Sequence, residues 1–214
     1  MTPARTPEER VVIELYDSEA NRERILDLLG RQIPAKAGPD DQVVVFFAGH
    51  GQTESLPGDQ VRGYVVPVDG DTERPFATAI SMASIRDLSA RIQAKHILFL
   101  MDSCYSGIGF QRGIRPVAAG PGLLQELTSR RAVQLIAAGT GGQEALEVGG
   151  RGLFTTKLLE GLAGEADANA DGAVTASELG GYVTPAVSAA SRDRQTPRFG
   201  TLEGMGDAVF RLRR

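Results

Sequence analysis

The chain has 214 residues, 42% of them hydrophobic, with a formal net charge of −4 and an isoelectric point near 5.3. This length allows one well-buried domain, and the acidic balance excludes the basic field that neutralises nucleic-acid phosphates. No apolar run reaches the roughly 18 residues that span a bilayer, no signal-peptide h-region opens the chain, and a single cysteine excludes an internal disulfide. We therefore expect a cytoplasmic protein without nucleic-acid or membrane partners.

Short apolar segments predict five strands, which are Val11–Tyr16, Gln42–Phe47, His96–Met101, Val133–Ala138 and the shorter Ala208–Leu212. Three of them are almost continuously apolar, which is typical of parallel strands covered on both faces. Helical spacing of apolar residues predicts helices between them, around Ile25–Ile33, Ile85–Ile92, Phe154–Leu162 and Ala176–Ala190. The alternation of strand and helix predicts an α/β fold with a doubly wound sheet.

Residues 107–131 differ from the rest because glycine, proline and arginine replace the apolar periodicity. They predict a long loop with one short helix, and such loops in compact domains are usually functional or mobile. The single domain 1–214 is thereby divided into residues 1–106, this linker, and residues 132–214. The linker is either a solvated basic loop or a site of self-processing at one of its arginines, namely Arg112, Arg115, Arg130 or Arg131.

Two predicted strands end in residues capable of covalent chemistry. The sequence FFAGHGQ places His50 just past one strand, and LFLMDSCYSG places Cys104 just past another. The reactive crevice of an open parallel sheet lies beyond the carboxyl ends of its strands, so neighbouring strands would bring these side chains together. An imidazole within hydrogen-bond reach activates a thiol and later protonates the leaving amine. The N–H groups of Gly51 and Cys104 are candidates to bind the developing oxyanion.

Each of these residues alone is more often structural, since a buried strand-end cysteine is frequently inert. Their combination in these flanks favours a catalytic dyad, with the histidine about 50 residues upstream of the cysteine as in caspases. The other histidine, His96, begins a strand at the opposite end of the sheet, and we interpret it as structural.

The two segments resemble the signature segments of the caspase–metacaspase clan of cysteine peptidases, and the DSC flank is most similar to metacaspases and bacterial members. Further similarity lies in GYVVPVDG, AAGTGGQEALE, GRGLFTTKLLEGL and QTPRFG, so it covers most of the chain. The resemblance implies a caspase-like three-layer α/β/α sandwich with a mostly parallel central sheet. It also implies Cys104 as nucleophile, His50 as general base or acid, Gly51 as oxyanion donor, protein or peptide substrates, and no cofactor for the chemistry.

Asp102 precedes Cys104 by two residues, and residues i and i+2 of an extended strand point to the same side. A carboxylate beside the nucleophile would favour a cationic P1 side chain, and the resemblance to metacaspases likewise implies Arg or Lys at P1. Asp69, in PVDG, would support the same substrate-binding rim. The alternatives are that Asp102 caps a turn and that Asp69 merely makes one.

Residues 167–178, DANADGAVTASE, match the spacing of an EF-hand calcium loop. The predicted metal ligands are Asp167, Asn169, Asp171, Ala173, Thr175 and Glu178. The alternative is local, because Asp-Gly makes an ordinary turn and Thr175 with Glu178 forms a capping box for the following helix. Calcium is therefore a candidate ligand and not a requirement of the chemistry.

Members of the clan normally begin with a strand and a helix ahead of the segment Val11–Tyr16, and this sequence holds no counterpart. An absent strand leaves backbone donors and acceptors unpaired. Either the sequence is a truncated or processed piece whose further segment completes the sheet, or another chain completes it, or the protein is a degenerate relative of the clan. A cysteine endopeptidase is the favoured function. A non-catalytic or partner-dependent caspase-fold interaction module, regulated by calcium through residues 167–178, is the alternative.

Overall fold

The computed structural model describes residues 10–58, 60–105, 121–140, 143 and 145–212, and at Cys104 it describes the main chain. The strands are β1 (Gln42–Ala48), β2 (His50–Leu56), β3 (Gln60–Val66), β4 (Ile80–Ser81), β5 (His96–Tyr105), β6 (Ala132–Thr140), β7 (Glu147–Val148), β8 (Arg151–Gly152), β9 (Ala173–Thr175), β10 (Arg198–Gly204) and β11 (Val209–Arg211). The helices are α1 (Arg22–Asp27), α2 (Ile33–Lys36), α3 (Pro75–Thr78), α4 (Met82–Ser89), α5 (Pro121–Ser129), α6 (Leu153–Glu160) and α7 (Ala176–Ser191). Wide π-type turns continue two of them, Leu28–Gln32 joining α1 to α2 and Gly161–Glu165 extending α6.

The central sheet has the strand order β1-β5-β6-β10. Strands β1, β5 and β6 run parallel, and β10 lies antiparallel at the edge. His96, the first residue of β5, lies opposite Gln42 of β1 and Ala132 of β6, so the three parallel strands begin level with one another. The three predicted apolar strands are thus confirmed as three adjacent parallel strands of the central sheet, each longer than expected, and the mostly parallel sheet is confirmed with them.

Alternate residues of β5 point to opposite faces of the sheet and belong to two separate cores. Ile97, Phe99 and Met101 pack with α4 and the first helices, whereas Leu98 and Leu100 pack with α6 and α7. All five are at most 4% exposed, and burial of each contributes roughly 1.5–3 kcal/mol. Helices therefore cover both faces, and the three-layer α/β/α arrangement is confirmed.

One predicted strand is absent and another lies outside the central sheet. Val11–Tyr16 forms no strand and pairs with no other strand among the described residues, since β-forming composition does not by itself supply a partner. The predicted Ala208–Leu212 strand is β11, which pairs antiparallel with β9 instead of joining the central sheet. The reason is local, because the N–H of Ala176 at the start of α7 donates to the carbonyl of Ala208 and holds β11 beside β9.

One feature was not predicted from the sequence. The polar segment that follows β1 forms β2, which pairs antiparallel with β3, and β3 in turn pairs with β4. The short helix predicted within residues 107–131 is α5, Pro121–Ser129, while residues 106–120 lie outside the described residues. Across the described part of the chain, no helix is long and apolar enough to cross a bilayer.

Candidate active site

The carboxyl ends of β1 and β5 are adjacent. Ala48 lies opposite Asp102 in the parallel ladder, and the N–H of Gly49 donates to the carbonyl of Asp102 at 3.4 Å. His50 and Cys104 each lie two residues beyond this pair, so the main chain brings both positions to one edge of the sheet, where open α/β sheets hold their ligands. The chain turns at once after Gly49, and His50 is the exposed first residue of β2. A catalytic role for the two residues stays a prediction.

A β-bulge immediately precedes Cys104. Met101 lies opposite Ala137 and Cys104 opposite Gly139, so β5 carries one extra residue between these two pairs. Bulges are frequent next to active sites, where they redirect a side chain. The same bulge interrupts the strict alternation on which the expected orientation of Asp102 was based, and a position of Asp102 beside the nucleophile therefore stays a prediction.

Asp102 is half-buried against the first turn of α6. The Oγ1 of Thr155 donates a hydrogen bond to its Oδ2 at 2.5 Å. A Cβ at residue 152 would lie 2.8 Å from the same oxygen, so only glycine allows the carboxylate to approach this closely. Burial raises the pKa of Asp102; the hydrogen bond from Thr155 opposes this shift, and the Glu147 carboxylate adds to it.

Glu147 is a second carboxylate near Asp102 that was not predicted as a site residue. It lies on the short β7–β8 hairpin opposite Gly152, the residue that touches Asp102. The hairpin turns through Gly149 and Gly150, both with positive φ, which glycine adopts without strain. Its segment resembles the family in the sequence, but only the structure shows that Glu147 pairs with Gly152 and so lies near Asp102.

The two other predicted residues of the site, Asp69 and Gly51, lie in the turn after β3 and in β2. Asp69 accepts a hydrogen bond at 2.8 Å from the N–H of Arg22, the first residue of α1, so this carboxylate caps a helix. Gly51 lies in β2 opposite Val65. Roles for Asp69 on the pocket rim and for Gly51 as an oxyanion donor stay predictions.

The predicted calcium loop has defined main-chain geometry. Ala170 and Gly172 adopt positive φ, and Asp167 accepts hydrogen bonds from the N–H groups of Asp171 and Gly172. The last predicted ligand, Glu178, instead accepts from Thr175 at the start of α7 and completes the capping box that was the alternative reading. Within the described ranges, no group of three or more His, Cys, Asp or Glu side chains converges as a metal site.

A cavity of about 490 Å³ lies between α5, the loop 167–178 and β11. It is lined in part by Leu124, Asp171 and Arg211. None of the predicted catalytic or specificity residues lines it, so it has no evident part in the chemistry at the sheet edge.

Three comparisons place the chain among known proteins. The family model of the caspase domain matches residues 11–201. No curated protein matches the chain. Among solved structures, GSU0716 of Geobacter sulfurreducens is similar with a TM-score of 0.52 and 19% sequence identity, over 87% of this chain and 75% of that one. At this identity the likeness is one of fold.

Proposed function

Because the chain belongs to the caspase family, we propose that it is a cysteine endopeptidase that cleaves peptide bonds after Arg or Lys, with Cys104 as nucleophile and His50 as its acid–base partner. The observation that supports this proposal most is the register of β1 and β5. Ala48 and Asp102 are paired across the two strands, and the main chain at His50 and Cys104 follows this pair by two residues on each side. A nucleophile and base supplied by adjacent strand ends suit acyl transfer.

The proposed reaction has two halves. The Cys104 thiolate attacks the scissile carbonyl carbon, and the N–H groups of Gly51 and Cys104 bind the resulting oxyanion. His50 gives its proton to the amide nitrogen, the C–N bond breaks, and the amine leaves a thioester. His50 then takes a proton from water, whose oxygen attacks the thioester carbon; the C–S bond breaks and releases the carboxylic acid and the Cys104 thiolate, which restores the thiolate–imidazolium pair.

A basic P1 preference is supported by the electrostatics around Asp102. The carboxylate is half-buried, with Thr155 as its hydrogen-bond donor among the described residues and no described cation paired with it. The neighbouring Glu147 adds negative charge. A guanidinium or ammonium group placed there would form a charge-assisted pair in a partly desolvated setting, where such pairs are strongest.

Hydrolysis of fluorogenic peptides ending in Arg, Lys or Asp tests the proposal, with wild type compared to Cys104→Ala and His50→Ala. Cleavage after Arg and Lys that is lost in both variants supports it. Cleavage after Asp alone would retain the dyad and refute the basic pocket.

The partner-dependent alternative is favoured by one observation, the exposed face and edge of β1. This strand ends the central sheet among the described residues, and Val44 and Phe46 are 43% and 49% exposed. Completion of the sheet by another chain or a further segment would cover both. Sedimentation velocity combined with peptidase assays over a range of protein concentrations tests this, since a fully active monomer at all concentrations would eliminate a requirement for a second copy.

Calcium binding by residues 167–178 is proposed as a separate property. Oxygen-donor side chains at EF-hand spacing and the positive φ of Gly172 support it, whereas Glu178 would have to leave its capping bonds to reach a metal. Glu178→Gln retains a capping acceptor and removes the charge. Calorimetric titration should give weaker calcium binding for this variant, and equal affinity in both proteins would show that the loop is not the site.

Of the four arginines, self-processing is proposed for Arg112 and Arg115, which lie outside the described residues. The carbonyl of Arg130 is within hydrogen-bond distance of Nε2 of His96, at 3.1 Å, so the backbone there is packed in the folded domain. The backbone at Arg131 is packed in the folded domain, where its carbonyl accepts from the N–H groups of Met205 and Gly206. Its guanidinium donates to the carbonyls of Ser89, Ile92 and Ala94. Identical intact masses of wild type and Cys104→Ala after incubation would eliminate self-processing.

A further inference from the structure

Gln195 is a fully buried polar residue just beyond α7, with 0% of its surface exposed. Its Oε1 accepts a hydrogen bond from the N–H of Leu146 at 3.2 Å, and the carbonyl of Leu146 accepts from the N–H of Leu153 at 2.7 Å. Leu146 and Leu153 flank the β7–β8 hairpin on its two sides. One side chain thus holds the base of the hairpin that carries Glu147 and the glycine packed on Asp102.

Gln195 is itself held rigidly by α7. The hydroxyl of Ser191, which is 1% exposed, donates to the carbonyl of Gln195 at 3.0 Å and accepts from its N–H at 3.1 Å. Ser191 is the last residue of α7, whose inner face is part of the core beneath α6. The hydrogen bond from Leu146 to Gln195 therefore connects the hairpin to the packed core and not to another loop.

A second glutamine connects the same two segments by hydrogen bonds. Oε1 of Gln143 accepts from the N–H groups of Thr140 and Thr196, and its Nε2 donates to the Thr196 hydroxyl. Gln143 and Leu146, which lie between β6 and the hairpin, are thus both hydrogen-bonded to residues 195 and 196. Two such hydrogen-bonded contacts restrict the position of the hairpin. A site with precise geometry depends on supporting contacts of this kind, because they determine how accurately the site residues are placed.

We propose that Gln195 is a positioning residue for P1 specificity, which acts through Leu146 to hold Glu147 and the first turn of α6 against Asp102. The inference rests on the proposed peptidase function and deepens it. Attraction between charges falls with distance, and a displacement of about 1 Å at a site can cost on the order of 100-fold in rate. A loosened hairpin would weaken recognition of a P1 cation while leaving the Cys104–His50 chemistry intact.

The test compares peptides with arginine or citrulline at P1, because citrulline has nearly the shape of arginine without its charge. The ratio of their kcat/KM values does not depend on the folded fraction of a sample. Gln195→Met removes the acceptor at similar volume and should lower the ratio roughly tenfold or more. Gln195→Glu retains an oxygen acceptor toward Leu146 and should restore most of the ratio.

The matched control is Gln134→Met, because Gln134 is a glutamine of β6 with 1% exposure whose bonds go to Asp207 and Ala208, away from the hairpin. It should lower stability and leave the ratio unchanged. An unchanged ratio in Gln195→Met, or an equal fall in Gln134→Met, would overturn the positioning role. Absence of Cys104-dependent cleavage in the wild type would instead overturn the proposed function itself.

Discussion

Under the proposed function, replacing Asp102 by Asn should slow the cleavage of arginine peptides and remove the preference for arginine at P1. The substitution retains an oxygen that can accept from Thr155 and removes the negative charge, so the packing against Gly152 stays in place. Hydrogen bonds to charged groups contribute about 1.5–3 kcal/mol. At 1.36 kcal/mol for each factor of ten, kcat/KM for arginine peptides should fall roughly 10- to 150-fold.

The assay is the ratio of kcat/KM for arginine and citrulline peptides, measured at neutral pH with wild type and variant. Hydrolysis of the citrulline peptide should change little, since it makes no ion pair with residue 102. Asp87→Asn is a matched control, because Asp87 is exposed on α4 across the sheet from α6. If Asp102→Asn retains the wild-type ratio, Asp102 is a structural cap and not the acid that binds P1.

Three further predictions concern titrating groups. Because the pKa of Asp102 is raised, kcat/KM for arginine peptides should begin to fall with decreasing pH above the ordinary carboxyl range. Glu147→Gln should move this fall to lower pH, and an unmoved profile would contradict the effect of the Glu147 charge on the pKa of Asp102. Burial lowers the pKa of His96, so the protein takes up a proton on unfolding below about pH 6.5, and its stability falls as the pH drops. His96→Gln should therefore reduce the pH dependence of the melting temperature without changing kcat/KM. Burial raises the pKa of Asp207, so stability should fall as pH rises from the ordinary carboxyl pKa through the raised one; an unchanged slope in Asp207→Asn would refute this assignment.

β5 and β6 could be predicted from the sequence because continuous apolar runs need burial on both faces, whereas alternate residues of the equally apolar β1 are exposed. The segment Val11–Tyr16 is also rich in β-branched residues, yet strand pairing depends on a partner that composition does not encode. The opposite error concerns β2, whose residues His50–Leu56 are mostly polar. They form a strand because β3 lies beside them, and its apolar end packs into the core.

The residues of the candidate site also fall into two groups, those that the sequence indicates and those that only the structure reveals. His50, Asp102 and Cys104 can be proposed from the sequence because each follows a recognisable apolar run by one to three residues. Glu147 and Gln195 were not assigned, because their relation to Asp102 passes through the pairing of β7 with β8 and a hydrogen bond between residues 49 positions apart. The bulge before Cys104 likewise depends on the register of three strands and has no signal in the local sequence.

The most direct test of the central claim is hydrolysis of a fluorogenic P1-arginine peptide by wild type and by Cys104→Ala, both shown to be folded by circular dichroism. The proposed function predicts Cys104-dependent release of the fluorophore, with a lysine peptide also cleaved and an aspartate peptide left intact. Undiminished release by Cys104→Ala, or no release by folded wild type at any protein or calcium concentration, would contradict it.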